Sequence, residues 1–162
     1  MSEKFNSVAC WLIGAAQGAF LLAMGGCAHP AATASVSIPP TPAGEARIWF
    51  YRDNEPYAGK GLPAIAVNGG YVGAAELGGA FYRNLPPGHY NITVETNGVD
   101  FSQTANLDVG PGQEAYVKIV SNPEWVTGGA RTEYERATFY AWRIPNEIAQ
   151  AHVAQLSFYG GS

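Results

Sequence analysis

The 162 residues are 47% apolar and 12% aromatic but only 14% charged, with a formal net charge of −4. That leaves room for one domain of roughly 110 residues once a leader and a linker are set aside. The acidic balance and the lack of any Lys/Arg cluster exclude nucleic acid, which is held through many cation–phosphate contacts, and electrostatic attraction to anionic lipid.

Residues 1–26 open polar, with Lys4 offset by Glu3, run apolar from Val8 to Met24, and end in Gly25-Gly26 before Cys27. A charged start, an apolar middle and a small-residue end make the layout of a secretory signal peptide. Met24-Gly25-Gly26-Cys27 resembles a bacterial lipobox, with Met where that pattern prefers Leu. The resemblance implies that Cys27 becomes a lipidated N-terminus. Three acyl chains, at ~0.8 kcal/mol per buried methylene, anchor it permanently. Ala28 in place of Asp implies, by the same resemblance, an outer-membrane address facing the periplasm. An uncleaved membrane helix is the alternative.

Residues 27–45 then read as a lipidated N-terminus and flexible linker. Pro, Ala, Ser and Thr dominate, Pro39-Pro40-Thr41-Pro42 is a polyproline-like spacer, and apolar periodicity is missing. Both cysteines, Cys10 and Cys27, precede the folded part, so the domain has no disulfide framework and no cysteine metal site.

The domain spans 46–158, with 159–162 as a tail. Arg47 to Arg52 is a strand with Ile48 and Phe50 on one face and Trp49 and Tyr51 on the other; apolar on both, it predicts a central strand with a second cover. A long Gly/Pro-punctuated loop follows from Asp53 to Pro63. Asn68-Gly69 between Ala64–Val67 and Tyr71-Val72 predicts a tight hairpin. Ala80–Arg83 leads to a Pro86-Pro87-Gly88 turn, after which Tyr90, Ile92 and Val94 alternate with His89, Asn91, Thr93 and Glu95. Leu85 belongs to the inward set. Phe101 to Val109 alternates again, and Ala115, Val117 and Ile119 turn inward after Pro111-Gly112. Ser121 to Glu133 reads as a second long loop and Arg136–Arg143 as a last strand, apolar on both faces. Pro145-Asn146 opens a short helix whose stripe is Ile148, His152 and Leu156.

These signals predict an all-β fold: one immunoglobulin/prealbumin-like antiparallel β-sandwich with a short C-terminal helix. The segments ARIWFYR, AVNGGYVG, GGAFYRNLPPGHYNITVE and VGPGQEAYVKI resemble the DUF2846 family of small bacterial envelope lipoproteins. LPPGHYNITVE also looks like PEGA-type sandwich domains. The resemblance implies a fold and a compartment and carries no activity with it.

No nucleophile elbow, zinc-helix motif or phosphate loop occurs. His89 reads as a surface strand histidine, His152 as a packed helix residue, and Ser102 and Ser121 lack a base nearby in sequence. Glu133 and Glu135 share a strand face between Arg131 and Arg136, as a solvated ion-pair surface does. No catalytic residue, metal or cofactor is therefore expected. The candidate binding residues are Tyr57 with Lys60, and Trp125 with Arg131, one pair on each long loop. If both loops leave one end of the sandwich they form an aromatic-basic patch for a protein partner or a sugar ring. Otherwise Trp125 plugs the core. The expected function is a non-enzymatic interaction module in the envelope, with glycan binding as the alternative.

Overall fold

The computed structural model describes residues 29–56, 58–59, 61–95, 103–128 and 132–162, with the backbone alone described over 123–128 and 132–136. The strands are β1 (Ala46–Arg52), β2 (Ala64–Val67), β3 (Gly70–Ala74), β4 (Gly79–Leu85), β5 (Gly88–Val94), β6 (Ala105–Val109), β7 (Glu114–Gly128) and β8 (Thr132–Ile144). Helix α1 (Asn146–Gln155) and β9 (Ser157–Gly161) close the chain. A five-stranded sheet in the order β8-β7-β1-β4-β9 faces a four-stranded sheet in the order β3-β2-β5-β6. This is the expected all-β sandwich with its C-terminal helix.

Side-chain alternation builds the space between the sheets. Tyr90, Ile92 and Val94 from β5, Ala105, Leu107 and Val109 from β6, and Ala115, Val117 and Ile119 from β7 are all buried there. Leu85 is only partly buried against them. The Pro86-Pro87 turn carries the chain from β4 in one sheet to β5 in the other. Asn68 and Gly69 adopt φ of 48° and 82°, the left-handed pair that a two-residue hairpin between β2 and β3 requires.

β1 is central and buried along its whole length. Ala46, Ile48 and Phe50 face the inter-sheet core, while Trp49 and Tyr51 face a second core roofed by α1. The two-faced apolar pattern of this strand thus has the physical cause anticipated for it. The roof departs in detail from the predicted stripe. Ala149, Val153 and Leu156 pack inward, whereas Ile148 is 52% exposed. Pro145 occupies the N-cap, and the Asn146 side chain instead donates to the Glu114 carbonyl at 2.9 Å.

Four further expectations are corrected. The larger sheet is mixed rather than antiparallel, since β1 runs parallel to β7 and β4 parallel to β9. Residues 159–162 are not a tail, because β9 reaches Gly161. The segment read as a second loop over 121–133 is mostly ladder, with Ser121 opposite Phe139 and Gly128 opposite Thr132. The linker is also partly structured. The Phe158 N–H donates to the Ala31 carbonyl at 2.8 Å, and Ala32 bridges Ser157 antiparallel. Thr33 donates through its N–H and its hydroxyl to the Leu156 carbonyl. Ile38 then joins the second core.

Each end of β1 carries a buried arginine that holds irregular chain in place. At 1% exposure, Arg47 donates through Nη1 to the Pro39 carbonyl (2.8 Å) and through Nε to Asn84 Oδ1 (2.9 Å). Its guanidinium lies 4.0 Å from the centre of the Tyr82 ring, and Glu114 sits 3.6 Å from Nη1. At 2% exposure, Arg52 donates to the carbonyls of Gly59, Gly61 and Ala75 beneath the 53–63 loop. Burial depresses the Arg52 pKa, with Glu55 and Glu76 opposing.

Candidate functional site

On the outer face of the five-stranded sheet, Tyr51 of β1 and Lys118 of β7 are register partners, and Trp142 of β8 stands opposite Lys118. Just past β1, the chain turns Asp53 and Glu55 back over this face. The Lys118 Nζ lies 2.7 Å from Asp53 Oδ2 and also pairs with Glu55. From α1, His152 Nδ1 comes within 3.6 Å of Asp53 Oδ2, and its ring meets Tyr51 edge-on at 6.2 Å between centres. Four separate elements therefore contribute one Tyr–Lys–Asp–Glu–His cluster. Beside it, Trp142 is 47% exposed and its ring sits 6.1 Å from that of Tyr140.

Electrostatics set the protonation states. Burial works against the charge on Lys118, but hydrogen bonds and charge from Asp53 and Glu55 outweigh it, so its pKa lies above the ordinary lysine value. A lysine held charged in this way is the reverse of a nucleophilic one, which needs a lowered pKa. The Tyr51 hydroxyl is buried with no hydrogen-bond partner among the described residues. Burial first, and the Asp53 carboxylate second, push it up to about 12. No cluster of His, Cys, Asp and Glu suited to a metal occurs among the described residues, and here an ammonium already sits between the two carboxylates.

Tyr51 gives a direct test. Below pH ~10 its hydroxyl is neutral in folded and unfolded chains alike, and its raised pKa leaves stability independent of pH. Between pH ~10 and ~12 the unfolded chain ionises first, so stability falls as pH rises. Tyr51→Phe is expected to equal or exceed wild type at pH 8, because an unpartnered buried hydroxyl is removed. At pH 11.5 the variant should gain about 2 kcal/mol on wild type, since each tenfold change in proton affinity is worth ~1.4 kcal/mol. Urea denaturation at both pH values checks this. Identical alkaline losses in the two proteins would contradict it.

The sequence-predicted binding residues fare unevenly. Tyr57, Lys60 and Arg131 lie outside the described residues. Trp125 is in β7 opposite Glu135 rather than on a loop, and its side chain is outside the described set. The 53–63 loop does touch the base of the β7–β8 ribbon. The Gly59 N–H donates to Ser121 Oγ at 3.0 Å, and a Cβ on Gly59 would lie 2.4 Å from that of Ala137, so only glycine allows this approach. His89 is an exposed strand residue, its Nδ1 2.9 Å from Asp108 Oδ1. Lys118, Asp53, Glu55 and Trp142 were missed. The available signal was Lys118, an ammonium at an outward position between inward Val117 and Ile119.

Beyond Lys118, β1 no longer pairs with β7, and β8 is the outer strand of its sheet. Residues Asn122–Gly128 therefore continue as part of a two-stranded arm, about 24 Å long at ~3.4 Å per residue. No family model and no curated protein sequence matches this chain.

Proposed function

We propose that the chain is a bacterial envelope lipoprotein, exported by residues 1–26 and anchored through lipid on Cys27, whose sandwich is a non-enzymatic protein-interaction module. The likeness to DUF2846 lipoproteins and the lipobox-like Met24–Cys27 support the compartment, an outer-membrane face towards the periplasm. The observation that carries the interaction reading is the β7–β8 arm, which outruns its sheet. A two-stranded ribbon in water is only marginally stable by itself, and its ladder edges and base offer a partner both hydrogen bonds and the Trp142 ring. The Lys118–Asp53–Glu55 ion pairs beside Trp142 supply charge that fixes orientation.

A second reading, glycan or peptidoglycan-fragment binding, rests on exposed Trp142 next to Tyr140, with polar groups close by for sugar hydroxyls.

Photo-crosslinking in intact cells from a probe at Trp142 separates them. One discrete protein adduct is expected, lost when residues 125–135 are replaced by an Asn-Gly turn that leaves the Glu124–Arg136 pair to close the ribbon. Recovery of the probe in the peptidoglycan fraction would transfer the case to the glycan reading. No adduct of either kind would overturn both. Palmitate labelling that persists in Cys27→Ser would overturn the anchor.

A further inference from the structure

The linker expectation leaves the domain free to tumble at the end of a tether. The structure removes most of that tether. Residues Ala31–Ala32 are bonded to Ser157–Phe158 at the β9 edge, and Thr33 to Leu156. Ile38 packs in the second core, the Pro39 carbonyl is held by Arg47, and the Thr41 hydroxyl donates to Glu114. Starting from the lipid-anchored reading above, we infer that the domain rests against the bilayer by its β9 edge, with the β7–β8 arm on the far side.

Chain length sets the limit. Four residue steps separate Cys27 from Ala31, at most about 14 Å of extended chain. The acyl chains fix Cys27 at the headgroup boundary, so the Ser157–Phe158 edge stays within that distance of it. β9 and β8 are the opposite edges of the five-stranded sheet. Four strand spacings put them about 19 Å apart. The edge that meets the membrane presents Tyr159, 46% exposed, an amphipathic ring suited to the headgroup layer. With a net charge of −4 the chain gains no attraction from anionic headgroups, so on zwitterionic vesicles the tether and the Tyr159 edge set the orientation and it is insensitive to salt.

The experiment uses the full lipidated protein in zwitterionic vesicles whose lipids carry a headgroup quencher. A fluorophore is placed at Tyr159→Cys, at Gln155→Cys beside Leu156, or at Arg143→Cys on β8. Quenching several-fold stronger at 159 and 155 than at 143 is expected, in low and high salt alike. A flexible Gly-Ser insert of roughly 20 residues between Ala28 and His29 should erase the difference. Protein that floats with the vesicles yet is quenched equally at all three sites overturns the orientation and leaves the anchor standing. Protein that fails to float, with Cys27 unmodified, overturns the anchored reading and this inference with it.

Discussion

Replacing Arg52 with alanine is expected to destabilise the domain by about 3–5 kcal/mol, the cost of orphaned buried acceptors together with the cavity a large side chain leaves. The guanidinium donates to three carbonyls, those of Gly59, Gly61 and Ala75, and lies 5.0 Å from the centre of the Phe139 ring. Alanine strands all three acceptors and leaves a hole under the 53–63 loop, so desolvation and lost packing add. Arg52→Lys should recover little, because one ammonium cannot span acceptors arranged for a planar fork. Urea midpoints of the three proteins check this. Alanine within 1 kcal/mol of wild type would mean that the loop satisfies its own carbonyls.

The second large effect is expected at the other end of β1. Arg47→Ala should cost about 3 kcal/mol or more, through the orphaned Asn84 and Pro39 acceptors and the Tyr82 ring left uncovered. It carries a signature that a general core mutation lacks. Amide exchange should accelerate at Thr33 and Val36, whose N–H groups donate to Leu156 and Thr33, before it accelerates at Ile92 in the opposite sheet. Uniform acceleration everywhere would show that Arg47 supports only the global fold and does not hold the N-terminal segment.

Much of this fold is legible because half-buried strands write their inward residues at every second position. Tyr90, Ile92 and Val94, or Ala105, Leu107 and Val109, need no tertiary knowledge to be placed. Asn68-Gly69 is equally local. What escapes is non-local. Nothing in the residues around Ile48 announces a parallel partner at Ala115, because that pairing is made across most of the domain. Nothing in the sequence marks Arg47 and Arg52 as buried, yet the fold supplies Arg47 with the Pro39 carbonyl and the Asn84 side chain, and Arg52 with the Gly59, Gly61 and Ala75 carbonyls. Pro123 and the Gly128-Gly129 pair read as a loop for a sound reason: proline cannot donate to a central ladder. That restriction does not apply here because β7 has already parted from β1, so Pro123 sits on one edge of a ribbon and its missing N–H costs no ladder bond there.

The candidate site escapes for a related reason. Its members come from β1, the loop after it, β7, β8 and α1, and only the β1–β7 register brings Tyr51 beside Lys118. Trp142 misleads as well. In a strand that is apolar on both faces it predicts a second cover, but α1 roofs only the Trp49, Tyr51 and Tyr116 end and leaves the indole half in water. The docked N-terminal segment is hidden by composition. It is held by carbonyls, two threonines and one isoleucine, which leave no periodicity to read.

That docked segment also determines how the molecule bears mechanical load. A pull at the N-terminus meets the contacts of residues 31–45 in turn, so they unzip singly rather than resisting together. Each rupture lets out chain, in all about 50 Å of it at ~3.4 Å per residue. Only then does tension reach β1, which is gripped by β4 and β7 along most of its length and is loaded in shear, the direction in which many ladder bonds must break at once. The segment is a strain-relief loop, and the sandwich behind it stays folded while it pays out.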